Sequence, residues 1–440
     1  MTKTTLSEAD LRHAFHPQTN LAAHGASGPF VVERGAGVWL WDADGRRYLD
    51  GMAGLWCTGL GYSEPRLVEA ARCQLEHLPY CPSFAGRAHA PGIRLAEELA
   101  ALAPEGLTRV FFANSGSEAN DTAIKLAWYY WAAEGAPERT RVLARRRAYH
   151  GVTIASASLT GLPMMHGGFN LPQPFAVHLT APHAAREAQD GETEEAFAAR
   201  LAAELEETIA RLGPQTIAAF IAEPVIGAGG VIPPPRGYFE AIQPILRRHD
   251  ILFIADEVIT GLGRLGTMWG CARFDIRPDI LTCAKMLTSA YQPLSAVLVT
   301  ERIYAAVAAE SGRRGSFGHG FTYSGHPVAC AVAREVLAIY RERDILGHVN
   351  RMAPLFQHRL ARLGQSPLVR EARGLGLVGG LEMQDPADAA RLEAAARAEG
   401  LLLRAVGGDT VAFCPPLVIT EAEIEELFDR AGRALARLAA

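Results

Sequence analysis

Two apolar runs, "TIAAFIAEPV" at 216–225 and "ILFIADEV" at 251–258, constrain the fold more than any other part of the chain, because each is continuously apolar and ends in an acid. Continuous runs of this length fit strands buried on both faces, and the amphipathic stretch "YFEAIQPILRRHD" between them supplies a crossover helix. The pattern recurs: "RVFFANSG" leads into the helix "SEANDTAIKLAWYYWAA", and "DILTCAK" reads as a further short strand. Strands alternating with helices predict an α/β domain around a mainly parallel sheet. Ligands of such sheets bind outside the carboxyl ends of the strands, where these runs place their polar residues.

The ends of the chain read differently. "GVWLWDADGRRYLDGMAG" alternates apolar and polar residues around "DADG", a hairpin signal. From about residue 325 come long helices and the runs "RGLGLVGGLEM" and "TVAFCPPLVIT". The two ends are expected to pair as a smaller α+β unit, with residues 1–62 and 325–440 flanking a large domain at 63–324. The Ala/Glu/Arg-rich run 184–212 predicts an exposed loop followed by an amphipathic helix.

A net charge of -5 over 440 residues provides no general basic field for nucleic acid or an anionic membrane, and "RRRAYH" at 145–150 is too short to change that. The first residues lack the apolar core of a signal peptide, and no segment offers ~18 uncharged apolar residues, so a cytoplasmic location is expected. Seven scattered cysteines without a CxxC pair read as free thiols, with no zinc site.

Of the 43 basic residues only Lys3, Lys125 and Lys285 are lysines. Only a primary amine forms a Schiff base, which guanidinium cannot do. Lys3 stands in an N-terminus expected to be mobile, and Lys125 on a solvated helix face. Lys285, in "CAKMLTSA", is either a snorkelling side chain or a reactive amine.

In "NSGSEAND", Ser115, Gly116 and Ser117 open a helix and form either a phosphate cradle or a plain N-cap helped by Glu118. In "IADEV", Asp256 ends a buried strand and needs a partner, which a protonated ring nitrogen would supply. A metal or ATPase carboxylate shares that pattern, but "NSGSEAND" lacks the matching GxxxxGK[ST] spacing. "GLGRLG" at 261–266 matches GxGxxG, yet no amphipathic helix follows it, so NAD binding is rejected and the glycines are assigned to a loop. Tyr149 and His150 in "AYHGVT" offer a flat ring for stacking or a cap on a core. A phosphate cradle, a stacking aromatic, a carboxylate for a pyridinium nitrogen and a lone lysine together are the parts that pyridoxal 5'-phosphate requires.

In this order the residues resemble class III aminotransferases of the fold-type I PLP enzymes, nearly end to end: "MAGLW", "NSGSEAND", "YHG", "AEPV", "GAGG", "DEV", "AKMLT" and "HGFTYSGHP". The stretches "GMAGLWCTGLGY", "GAGGVIPPPRGYF" and "LLLRAVGGDTVAFCPPLVIT" are most similar to the ω-amino acid:pyruvate and amine:pyruvate branch. The resemblance implies a seven-stranded sheet in the large domain, Lys285 as Schiff-base lysine and general base, and Asp256 as partner of the pyridine nitrogen. It implies Tyr149 and Val258 on the two faces of the ring, with Ser115, Gly116, Ser117 and His150 among the cofactor contacts. Thr322 is implied as a phosphate contact from a neighbouring subunit, hence a homodimer, or a tetramer formed by two such dimers. Glu223 is similar to a site carboxylate that orients ring substituents or holds an arginine.

Trp56, Phe84 and Val152 match substrate-pocket positions, with ordinary core roles as the alternative. Arg404 resembles a mobile arginine that pairs with a carboxylate acceptor, against the alternative of a surface arginine. Ala85 stands where a second aromatic is common, which suggests room for bulkier amines, and Met286 follows the lysine. The expected activity is transfer of an amino group from a primary amine or ω-amino acid to pyruvate, with (S) selectivity resting on resemblance alone. The rivals are a β-alanine, taurine, diamine or 2-oxoglutarate aminotransferase, a PLP aminomutase, and a PLP-binding protein without turnover.

Overall fold

The computed structural model describes residues 5–439, and Lys3 lies outside them. Strands β1 (Val32–Ala36), β2 (Trp39–Asp42) and β3 (Arg47–Asp50) form an antiparallel meander. The β2–β3 turn is the predicted hairpin: Asp42 Oδ1 accepts the N–H groups of Asp44 and Arg46 at 3.1 and 2.9 Å, and Gly45 takes φ +81°.

The central sheet contains β4 (Leu107–Ala113), β5 (Arg141–Arg145), β6 (Ala176–Leu179), β7 (Ile217–Ala222), β8 (Leu252–Asp256), β9 (Ile280–Cys283) and β10 (Ser295–Thr300). Its order is β4-β10-β9-β8-β7-β5-β6. β6, β5, β7, β8 and β9 run parallel, while β10 is antiparallel to both β9 and β4. The link from Cys283 to Ser295 contains only a short 3-10 turn and no crossover helix, so the chain returns antiparallel. Every residue of β7 and β8 is buried, as their unbroken apolar runs predict. The helix Glu194–Leu212 buries Phe197, Leu201, Leu205 and Ile209 at four-residue spacing, the amphipathic stripe read from its sequence.

The last strands are β11 (Val369–Leu375), β12 (Val378–Met383), β13 (Leu401–Leu402), β14 (Arg404–Val406) and β15 (Thr410–Phe413). β11, β12, β15 and β14 make an antiparallel sheet, while β13 leaves it to pair parallel with β3. One small sheet is thus built from both ends of the chain.

"GLGRLG" forms consecutive turns with Gly263 and Gly266 at positive φ, and the next element is only the 3-10 turn Gly270–Arg273. Arg264 at its centre is fully buried and donates Nη1 to the carbonyls of Leu377 and Pro415 at 3.0 and 2.7 Å, pinning C-terminal segments to the large sheet. All seven cysteines are free thiols. Among the described residues no helix is long and apolar enough to cross a membrane.

Candidate active site

Four strands deliver side chains to one place. Tyr149 and His150 follow β5, Glu223 follows β7, Asp256 ends β8, and Lys285 follows β9. They meet at the carboxyl ends of the parallel strands, around a cavity of about 200 Å³ that also takes Trp56, Gly116, Ser117, Val258 and Arg404 into its wall.

Asp256 is held on three sides. Its Oδ2 accepts from Asn120 Nδ2 and from His150 Nδ1, both at 2.8 Å, and its Oδ1 accepts the Val258 N–H at 3.0 Å. Because a carboxylate only accepts, His150 carries its proton on Nδ1. Asn120 is fixed in turn, donating to the His150 carbonyl at 2.7 Å and accepting the Thr282 hydroxyl at 2.8 Å. A buried carboxylate so oriented keeps its rotamer without moving.

Lys285 opens a 3-10 turn with φ +49°, a left-handed conformation that is costly for a residue with a Cβ. That backbone follows directly from the end of β9 beside Asp256. Burial pushes the Lys285 ammonium pKa down, towards the neutral amine that nucleophilic and base chemistry require, and the charge of Asp256 opposes this.

Glu223 is committed elsewhere. Its Oε2 accepts from Arg145 Nη2 at 3.3 Å, its own carbonyl accepts from the same nitrogen at 2.7 Å, and its Oε1 accepts the Tyr149 N–H at 3.2 Å. Burial raises its pKa, against the opposing charges of His150 and Arg145. The pair fixes the backbone that carries Tyr149.

The helix Gly116–Ala133 aims its N-terminus at the cavity. Ser115 is its N-cap: Oγ accepts the Glu118 N–H at 3.2 Å and keeps its own O–H to donate, and Ser115 is not among the residues that line the cavity. The Gly116 and Ser117 amides have no intrahelical acceptor and carry the positive end of the helix dipole. A Cβ at Gly116 would stand 3.0 Å from Val258 Cγ1, so the wall closes tightly there. At Gly151, with φ +137°, a Cβ would lie 2.5 Å from Ser117 Oγ and 2.4 Å from Ser156 Oγ. Gly151→Ala is expected to cost about 1–3 kcal/mol of stability and to displace Ser117, read as a lower melting temperature and weaker cofactor retention.

The remaining expected residues lie apart. Val152 is exposed and donates its N–H to Ser117 Oγ at 3.1 Å, outside the cavity wall. Phe84, Ala85 and Thr322 share a separate exposed strip, where Tyr80 donates its hydroxyl to the Thr322 carbonyl at 2.9 Å and Ser83 donates to that of Ser324 at 2.9 Å. Lys125 is exposed on its helix, as read, with Nζ 2.9 Å from His319 Nδ1.

Residues 21–435 match the family model for aminotransferase class-III. The γ-aminobutyrate transaminase 1, mitochondrial, of Oryza sativa subsp. japonica is 51% identical over 419 residues, which cover 92% of this chain and 81% of that one. The omega transaminase from Pseudomonas jessenii in complex with PMP is 45% identical with a TM-score of 0.97, and 98% of each chain is covered. The PMP-bound aminotransferase from Vibrio fluvialis is 41% identical with a TM-score of 0.96, covering 100% of this chain and 99% of that one.

This chain is a class III aminotransferase.

The aminotransferase has the fold of the type I PLP enzymes, and its cofactor is pyridoxal 5'-phosphate. The donor set suits that group: one amine, one fixed carboxylate, a flat phenol and a helix N-terminus with open amides all face a single cavity. Three functional positions escaped the sequence reading. Asn120 stands one helical turn after Gly116, so its shared face with the cradle was available as a signal. Arg145 was visible only as part of a basic run. Gln18, which also lines the cavity, carried no signal.

Proposed function

We propose that this aminotransferase moves the amino group of a primary amine or ω-amino acid to pyruvate in two half-reactions. The carrying observation is Arg404: its guanidinium reaches the cavity and, among the described residues, is hydrogen bonded only to the neutral amide of Gln18 at 3.3 Å, while Glu223 is occupied by Arg145. A free guanidinium at the wall suits a keto-acid carboxylate, which it can grip through two parallel hydrogen bonds.

Lys285 would hold the cofactor's aldehyde carbon, Asp256 its ring nitrogen, Tyr149 and Val258 its faces, and Gly116 and Ser117 its phosphate. When bound, the cofactor supplies an electron sink for the charge left by proton removal. Lys285 Nζ takes a proton from the substrate carbon that bears the amino group and later returns one. Asn120 and His150 keep Asp256 pointed at its partner, and Trp56 walls the substrate side.

The strip bearing Thr322 and Phe84 supports a homodimer in which a second copy completes the site. The free thiols support a cytoplasmic location, and we offer the division at 62/63 and 324/325 on the strength of the small sheet shared by both ends. A second reading, an enzyme that requires a carboxylate on the donor and does not accept neutral amines, is favoured by the name of the Oryza relative.

The test is the visible spectrum of the holoenzyme with (S)-1-phenylethylamine and then pyruvate. The cofactor band is expected to bleach with the amine and return with pyruvate. A band that ignores this amine but bleaches with γ-aminobutyrate or β-alanine selects the second reading.

A further inference from the structure

Gln18 lies between two short helices, Leu6–His13 and Leu21–Ser27. Asp10 ties the segment together, its two carboxylate oxygens lying 2.9 Å from His16 Nε2 and 2.9 Å from His24 Nε2. The loop so held puts Gln18 at φ +47°, a conformation that a side chain disfavours and that is kept only where the surroundings fix it. Its amide then spans the mouth of the cavity: Oε1 accepts from Arg404 Nη2 at 3.3 Å, and Nε2 donates to the Tyr149 hydroxyl oxygen at 3.4 Å.

We infer that Gln18 is a specificity-determining residue, the neutral partner on which Arg404 rests when the bound substrate has no carboxylate. The inference rests on the proposed role of Arg404 as the carboxylate-binding residue. The single bond to an amide is weak enough for a substrate carboxylate to displace, because the carboxylate brings a full opposite charge and two parallel bonds to the guanidinium where the amide brings one bond and no charge. It still satisfies the guanidinium when an apolar amine occupies the wall beside Trp56. A carboxylate at position 18 would remove this choice by pairing with Arg404 permanently. Gln18 thereby lets one cavity accept a neutral amine in one half-reaction and a keto acid in the other.

The experiment uses the holoenzyme and its Gln18→Glu, Gln18→Ala and Arg404→Ala variants. KM and kcat are measured for pyruvate and for (S)-1-phenylethylamine, together with the inhibition constant of propionate, a carboxylate without an amino group. Gln18→Glu is expected to raise the pyruvate KM and the propionate constant by about tenfold or more, leaving the KM of the neutral amine within about twofold. Gln18→Ala is expected to do the reverse, raising the neutral-amine KM about threefold with little effect on propionate. An equal change for both substrates in Gln18→Glu, or no change in either, overturns the inference. Arg404→Ala separates the two failures: if it leaves the propionate constant unchanged, the carboxylate role of Arg404 falls and this inference with it. If it raises that constant while Gln18→Glu does not, the role of Gln18 alone falls.

Discussion

Lys285→Ala is expected to lower kcat/KM by about 10⁴-fold or more, because it removes both the nucleophilic amine and the base that carries the proton. Lys125 cannot substitute, since it is exposed and turned to His319. Lys285→Arg separates amine chemistry from charge. It keeps a cation next to Asp256 but supplies no nucleophile, and it is expected to be as inactive as the alanine variant. Steady-state kinetics on both variants check this, with the visible spectrum as a second readout. Each is expected to retain cofactor through the helix N-terminus and Asp256 while losing the covalent link. Recovery of more than a few per cent of activity in Lys285→Arg would remove the amine from the chemistry.

Asp256→Asn is expected to lower kcat/KM by about 10²–10³-fold, the loss seen when one preorganised electrostatic contact to a reacting group is removed. The substitution keeps shape and volume but not the acceptor pattern. Three donors converge on this carboxylate, from Asn120, His150 and the Val258 amide. If the new amide turns its oxygen towards Asn120 and His150, its NH₂ faces the Val258 N–H, donor against donor. Leaving one such donor unpaired in a buried site costs about 1–3 kcal/mol, so the melting temperature should fall together with activity. A variant as stable as the parent but equally inactive would place the whole effect on the ring nitrogen. A variant that is destabilised but fully active would make Asp256 a structural residue only.

The sequence was most legible where the local pattern and the global fold agree. β7 and β8 are buried at every position, and a run such as "FIA" or "FIAD" permits little else in a chain with helices on either side. The turn at Gly45 followed from Asp42 and glycine in the same way. Strand direction was less legible: β10 was not singled out from the sequence, and its reversal depends on the missing crossover helix between Cys283 and Ser295. In the site, Lys285, Asp256, Glu223, Tyr149 and His150 all follow strand ends, so topology alone sends them to one edge of the sheet. At Ser115 the two readings of the motif are compatible: its Oγ caps the helix by accepting the Glu118 N–H, and the same hydroxyl keeps a proton to donate.

By itself the sequence determined the family, the α/β order of elements, the single candidate amine and the acid at the end of its strand, since each depends on residue type and on neighbours within one element. Only the tertiary structure decided the partners. Arg145 closes on Glu223 across 78 residues, Asn120 on Asp256 across 136, and Arg404 on Gln18 across 386. It also separated Phe84 and Thr322 from the cavity of their own chain. Hydrogen bonds of a few ångströms between such distant positions leave no periodicity or spacing in the sequence. They are fixed when the sheet, the helix N-terminus and the two ends of the chain pack against one another.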